Sequence, residues 1–320
     1  MFRRTVLRAL GVGATWVSGF NASMEVFAQS GFPSKSVTIV VPFPPAGGAD
    51  VLARILATYL SNLWGQQVIV ENRAGASGRI GAAHVARSEG DGYTLMMSST
   101  ASLGKDNVAQ FAPIALVSAA PYVVAVNPKL GAKTMRELIS KAKAQPGKLT
   151  FGSSGEGSAS HLTVELFQQA AGIEMLHVPY KGTGQAVTDL LSGTIDLMFA
   201  PGQTVNPHVK AGKLLALAST GDQRSRTSSD LPTIAEASTP GYAAVGWFGL
   251  LAPVSTPAPI VQKLNVDVNA ALSDPNIEKI MLDSGAEPAQ TSPAQFGKFI
   301  QSEIAKWSLL ETTLQSKKKS

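Results

Sequence analysis

Val37 to Val41 is an unbroken apolar and mostly β-branched run. It ends in Pro42-Phe43-Pro44-Pro45-Ala46-Gly47-Gly48 and opens at once into a helical period. A run without polar alternation fits a strand buried on both faces. Beyond the turn, Leu52, Ile55, Leu56, Tyr59, Leu60 and Leu63 recur at the 3.6-residue spacing, and Gly65 stops the helix. Asp50, just ahead of that stripe, suits the N-cap. Strand, glycine turn and helix make up the repeating unit of an α/β fold with a largely parallel sheet.

The unit recurs along the chain. Strands are predicted at 68–70 and 93–97, with a helix at 80–86 between them. Residues 121–126 form a strand that crosses into a second lobe. There the pattern runs helix 134–144, strand 149–151, helix 160–171, strand 175–178, helix 185–192 closed by Gly193, and strand 197–199. After a proline-rich stretch, residues 246–251 lead back to the first lobe, where helices near 259–272, 277–283 and 293–310 pack. The economical arrangement is two lobes, 32–123 plus 246–320 and 124–245, joined by two crossing strands.

The 320 residues carry a net charge of +5, which invites a nucleic-acid reading. Two units come from Arg3, Arg4 and Arg8 against Glu25, and three from Lys317, Lys318 and Lys319. Residues 29–316 are neutral and have no basic stripe, which argues against binding a phosphate backbone. The lysine run reads as a solvated, mobile tail. At the other end, a cationic head, a short apolar middle and Val26-Phe27-Ala28 form a secretory leader, cleaved after Ala28. Its apolar run is shorter than the roughly 20 residues of a membrane span. The expectation is an exported, periplasmic protein. With no cysteine, thiolate chemistry and disulfides are excluded.

Three glycine-rich turns follow predicted strands and precede helices: 44–50, 152–161 and 180–184. Helix starts of this kind aim unpaired backbone N–H groups at one point, where an anion binds without a full countercharge. In α/β sheets such strand-end crevices collect ligands. The nearest enzyme motifs fail. Glu156 stands where a nucleophile elbow needs its second glycine. Gly147-Lys148 lacks the hydroxyl of a phosphate loop, and Gly75, Gly78 and Gly81 miss the dinucleotide spacing. His84, His161, His177 and His208 show no metal-ligand spacing, so no metal or cofactor is expected. His161 reads either as a cleft residue or as a capping histidine. Lys181, the one cation within the three turns, is a ligand contact or a solvated loop lysine. Asp196 meets a ligand or braces a turn.

The chain resembles the Bug-type extracytoplasmic solute receptors, the substrate-binding components of tripartite tricarboxylate transporters. The resemblance is carried by Val41-Pro42-Phe43-Pro44-Pro45-Ala46-Gly47-Gly48-Ala49-Asp50, Val70-Glu71-Asn72-Arg73-Ala74-Gly75, Asp91-Gly92-Tyr93, Phe151-Gly152-Ser153-Ser154-Gly155, His177-Val178-Pro179-Tyr180-Lys181-Gly182, Asp196-Leu197-Met198-Phe199 and Trp247-Phe248-Gly249. It runs from about Lys35 to Trp307.

The resemblance implies a periplasmic binding protein fold of type II kind, two α/β lobes joined by two crossing strands with the ligand cleft between them. It implies a monomer that captures a small carboxylate, whether a di- or tricarboxylate, an aromatic carboxylate or an acidic amino acid, and passes it to membrane permease subunits. The turns holding Phe43, Pro44, Ala46, Gly47, Gly48, Ala49 and Asp50, and Ser153, Ser154, Gly155, Gly157, Ser158 and His161, would grip the carboxylates through amides, hydroxyls and ordered water. Ser98, Lys181, Gly182 and Asp196 complete the expected site. The connection from Ser99 to Phe111 is shorter than the family's usual loop, so the resemblance says least about the cleft rim there. Two rivals are a sensory accessory protein that signals to a membrane histidine kinase and a hydrolase using Ser153 or Ser154 with His161.

Overall fold

The computed structural model describes residues 31–319, with side chains for residues 31–308 and Leu310. The expected leader, residues 1–28, lies outside the described residues. Residues from Pro33 onward form one compact unit. In chain order the elements are β1 (Val37–Val41), α1 (Gly48–Trp64), β2 (Val68–Asn72), α2 (Arg79–Ala86), β3 (Thr94–Ser98), β4 (Phe111–Val126), α3 (Met135–Ala144), β5 (Thr150–Ser153), α4 (Ala159–Ala171) and β6 (Leu176–Pro179). They continue with α5 (Thr183–Ser192), β7 (Leu197–Pro201), α6 (Gly202–Lys210), β8 (Leu215–Ser219), α7 (Ile234–Ala237), β9 (Val245–Pro253), α8 (Ala258–Ser273), α9 (Pro275–Ser284) and α10 (Pro293–Lys319).

The strand order β2-β1-β3-β9-β4-β7-β5-β6 explains the two lobes. β4 changes partners along its length. Residues Phe111 to Pro121 run antiparallel to β9, whereas Tyr122 to Val126 lie between β7 and β8. One strand therefore belongs to both lobes. Its first half is absent from the sequence reading, because Pro113 argues against a strand interior. The register shifts between Pro113 and Ala115 and between Leu116 and Ser118 show how the sheet absorbs the disruption, as β-bulges. The proline-rich stretch after residue 199 holds α6, with Pro207 inside it, then β8 and α7.

Each lobe has its own apolar core. Val40, Val85, Met96, Phe111, Trp247, Leu251, Phe296 and Ile300 cluster in the first. In the second, Val124, Leu138, Phe151, Leu162, Phe167 and Phe199 pack on one face of the sheet. Val123, Ala186, Leu190 and Met198 pack on the other. α10 serves both lobes: Phe296 and Ile300 enter the first core, Trp307 and Leu310 the second. Its backbone stays helical to Lys319, where a mobile tail was expected.

Candidate functional site

The C-terminal ends of β1, β5, β6 and β7 carry the connections to α1, α4, α5 and α6, and all four helix starts meet at one cavity. Its walls are Phe43, Pro44, Gly47, Gly48 and Ala49 before and in α1, Ala159 and Ser160 of α4, Thr183 of α5, and Pro201 at the entry to α6. Ser99, Ala101, Tyr122, Ser154 and Phe248 complete it. Among the described residues no aspartate, glutamate, lysine, arginine or histidine lines this cavity. α1, α5 and α6 start at Gly47, Gly182 and Pro201 without a side-chain cap, which leaves their first N–H groups for another acceptor. Each helix start carries about half a positive charge. The inner cavity is about 40 Å³, room for a carboxylate-sized group or a few waters.

Two larger spaces adjoin it. One of about 600 Å³ shares Pro44 and Ser154 with the inner cavity and is lined also by Gly155, Tyr180, Lys181 and Gln185. Another of about 350 Å³ shares Ala101 and is lined by Arg79, Lys105, Gly157, Leu162 and Trp247, among others. The lobes touch around these spaces. Ser77 Oγ donates to the Glu156 carbonyl at 3.2 Å, and a methyl group placed on Gly182 would lie 2.8 Å from Pro44.

Asp50 is buried but does not face the cavity. It is the third residue of α1, and Gly47 is the N-cap, which corrects the expectation that Asp50 caps the helix. Its carboxylate accepts from Ala46 N at 3.0 Å, from Arg54 Nε and Nη2 at 3.0 and 2.9 Å, and from Asn72 Nδ2 at 3.0 Å. The same Asn72 nitrogen donates to the Phe43 carbonyl at 3.0 Å. This network holds Ala46 at φ 64°, a left-handed conformation that a residue with a Cβ adopts only under constraint. Burial alone would raise the Asp50 pKa. The hydrogen bonds from Arg54, Ala46 and Asn72 outweigh it and hold the carboxyl below its ordinary value.

The turn into α4 is braced from behind. Ser158 caps the helix by accepting from His161 N at 3.3 Å. Ser154 N donates to Ser160 Oγ at 3.0 Å, and the two hydroxyls are 3.1 Å apart. His161 does not line the cavity: its Nδ1 accepts from Gly157 N at 3.2 Å, and its ring stacks on His177 at 4.0 Å between centroids. Its Nε2 stands 3.6 Å from Glu165. Ser153 is fully buried, with its Oγ 2.6 Å from His177 Nε2 and bonded to the Gly155 backbone. Neither Ser153 nor Ser154 pairs with His161, so the serine hydrolase arrangement does not form.

Of the remaining expected residues, Ser98 is fully buried and bonds to Ser102 Oγ at 3.0 Å, while its neighbour Ser99 reaches the cavity. Asp196 precedes β7, at the end of the strand away from the cleft. Its carboxylate accepts from Thr150 N and Oγ1 at 2.8 and 2.9 Å, so it braces the sheet. Sequence reasoning missed Tyr122, Pro201 and Phe248, while Thr183 falls within the recognised turn 180–184. Pro201 follows the same strand-to-helix rule as the recognised turns. Tyr122 and Phe248 lie on the crossing strands, where no local pattern marks a ligand contact.

Two lobes, crossing strands and a cleft at facing strand ends define a solute-binding protein of the periplasmic binding class, and solved periplasmic proteins share this fold. The model of the tripartite tricarboxylate transporter family receptor matches residues 52–315, and the chain belongs to that family. Protein BugT of Bordetella pertussis is 36% identical over 311 residues, covering 94% of this chain and 95% of that one. The structure of R. palustris Rpa4515 with adipate is similar at a TM-score of 0.84 and 36% identity, over 88% of this chain and 98% of that one. MatC from Rhodopseudomonas palustris with bound malate gives 0.80 and 31%, over 87% and 99%. The family is one of transporter receptors, and the similar solved structure of BugD is that of a periplasmic binding protein.

Proposed function

We propose that this chain is an exported periplasmic receptor that closes on a small carboxylate and presents it to the permease subunits of a tripartite transporter. The ligand is a di- or tricarboxylate, an aromatic carboxylate or an acidic amino acid. The observation that carries this reading is the inner cavity, where four helix starts converge and no charged side chain lines the wall. The oriented N–H groups supply the positive potential there. One carboxylate occupies the inner cavity, and the rest of the ligand extends into the adjoining spaces. Adipate and malate in the related receptors support an acid of this size.

The lobes, 32–123 plus 246–320 and 124–245, close as units about β4 and β9, with the end of α10 resting on the second lobe. The receptor acts as a monomer, and the leader is removed near Ala28. Closure excludes water and strengthens the amide–carboxylate hydrogen bonds. A thermal-shift screen with citrate, malate, adipate, benzoate and glutamate tests the reading. A bound acid at 100 times its Kd adds about 2.7 kcal/mol of stability, which raises Tm. No shift with any of the five would overturn the carboxylate assignment.

A further inference from the structure

β4 leaves β9 and joins β7 between Pro121 and Tyr122, so Tyr122 stands where the two lobes cross. It is 6% exposed and forms part of the inner cavity wall. Its backbone is fully engaged: the N–H donates to Thr220 Oγ1 at 2.8 Å, and the carbonyl accepts from Thr220 N at 2.9 Å. Its phenol oxygen has no hydrogen-bond partner among the described residues, nor is it one of the polar atoms sealed into the interior without one. The residue that carries this oxygen lines the inner cavity.

Two of the other cavity hydroxyls are committed. Ser154 and Ser160 bond each other. Glu303, whose charge is felt at Tyr122, accepts instead from Trp307 Nε1 at 2.8 Å. The phenol ring is also held in place. It lies so close to Gly246 that a methyl group there would sit 2.6 Å from its Cζ and 2.8 Å from its Oη. A phenylalanine would fill the same space and carry no hydroxyl to be satisfied. Burial, reinforced by Glu303, holds the phenol far above its ordinary pKa, so it keeps its proton and can donate.

We propose that Tyr122 contacts the ligand, donating its phenol hydrogen bond to an oxygen of the bound carboxylate at the crossing of the two lobes. This rests on the carboxylate reading above and adds a side-chain donor to the backbone amides. Because the donor sits on the strand common to both lobes, it couples ligand capture to the hinge itself.

Isothermal titration calorimetry tests the assignment with each acid of the five-member panel that shifts the melting point. Tyr122→Phe should weaken binding about tenfold to a hundredfold, the span of one hydrogen bond to a charged acceptor. Without ligand its Tm should equal or exceed that of the parent. Gly246→Ala, which pushes the ring out of position, should weaken binding in the same direction and gives a second reading should Tyr122→Phe fold poorly. Unchanged affinity in Tyr122→Phe, with the parent protein binding, would overturn the Tyr122 assignment and leave the carboxylate reading standing. If the parent binds none of the five acids, the carboxylate reading fails and the assignment with it.

Discussion

Ser77 in the first lobe hydrogen bonds through its hydroxyl to the backbone carbonyl of Glu156 in the second, at 3.2 Å across the mouth of the cleft. Ser77 holds φ 54° and its neighbour Ala76 φ 47°, both left-handed. With Ala46 they are the only non-glycine residues at positive φ among those described, and all three belong to turns at the cleft. Constrained backbone of this kind concentrates where loops are held for a task.

Removing that contact should loosen the closed state. Ser77→Ala deletes one exposed hydrogen bond, with a net contribution of about 0.5–1.5 kcal/mol. Ligand release, followed by stopped-flow fluorescence, should accelerate about two- to tenfold with little change in association.

Gly48 tests the fit of the inner cavity. A Cβ there would stand 2.9 Å from the Phe248 ring and 3.4 Å from Pro201. Gly48→Ala should cost about 1–3 kcal/mol by overpacking and weaken ligand binding as the ring turns into the cavity. Chemical denaturation and calorimetry on the same preparation separate the two effects.

Asp50 gives the fold a pH dependence of known sign. Its carboxyl binds a proton less readily in the folded protein than in the unfolded chain. Its contribution is therefore fully present above the ordinary carboxylate pKa and is lost as the pH falls through the lowered folded value. Asp50→Asn should cost about 1–3 kcal/mol at neutral pH, since the amide keeps one acceptor oxygen and the donors on the other meet an NH2 group instead. The variant should lose less further stability than the parent when urea denaturation is repeated at pH 3.

Trp307 joins α10 to the second lobe. It is 3% exposed, and its indole N–H donates to Glu303. Trp307→Ala should destabilise by about 3–5 kcal/mol, read as a lower denaturation midpoint. A drop under 1 kcal/mol would show that the helix end is not held there.

The strand–turn–helix units around Gly47, Gly157 and Gly182 were legible because glycine, proline and the 3.6-residue period are local signals. The first half of β4 was not, because Pro113 is tolerated only through a register shift that depends on the partner strand. The same limit applies to the site. Turns announce which backbone can bind an anion, but not which side chains turn inward. Asp50 and Asp196 look like ligand contacts by type, yet Arg54, Asn72 and Thr150 claim their carboxylates. His161 faces His177 because α4 presents it to β6, a relation that spacing along the chain does not encode.

The inner cavity has no charged side chain in its wall, and this sets how a bound anion would answer to its surroundings. Mobile ions weaken interactions between exposed charges far more than those in a buried site. The hold on a carboxylate inside it should therefore change little across a wide range of ionic strength. No lining group titrates near neutrality, so capture takes up or releases no proton from the wall itself. Releasing that carboxylate would then depend on prising the lobes apart, with neither salt nor acidity loosening the inner wall's own grip.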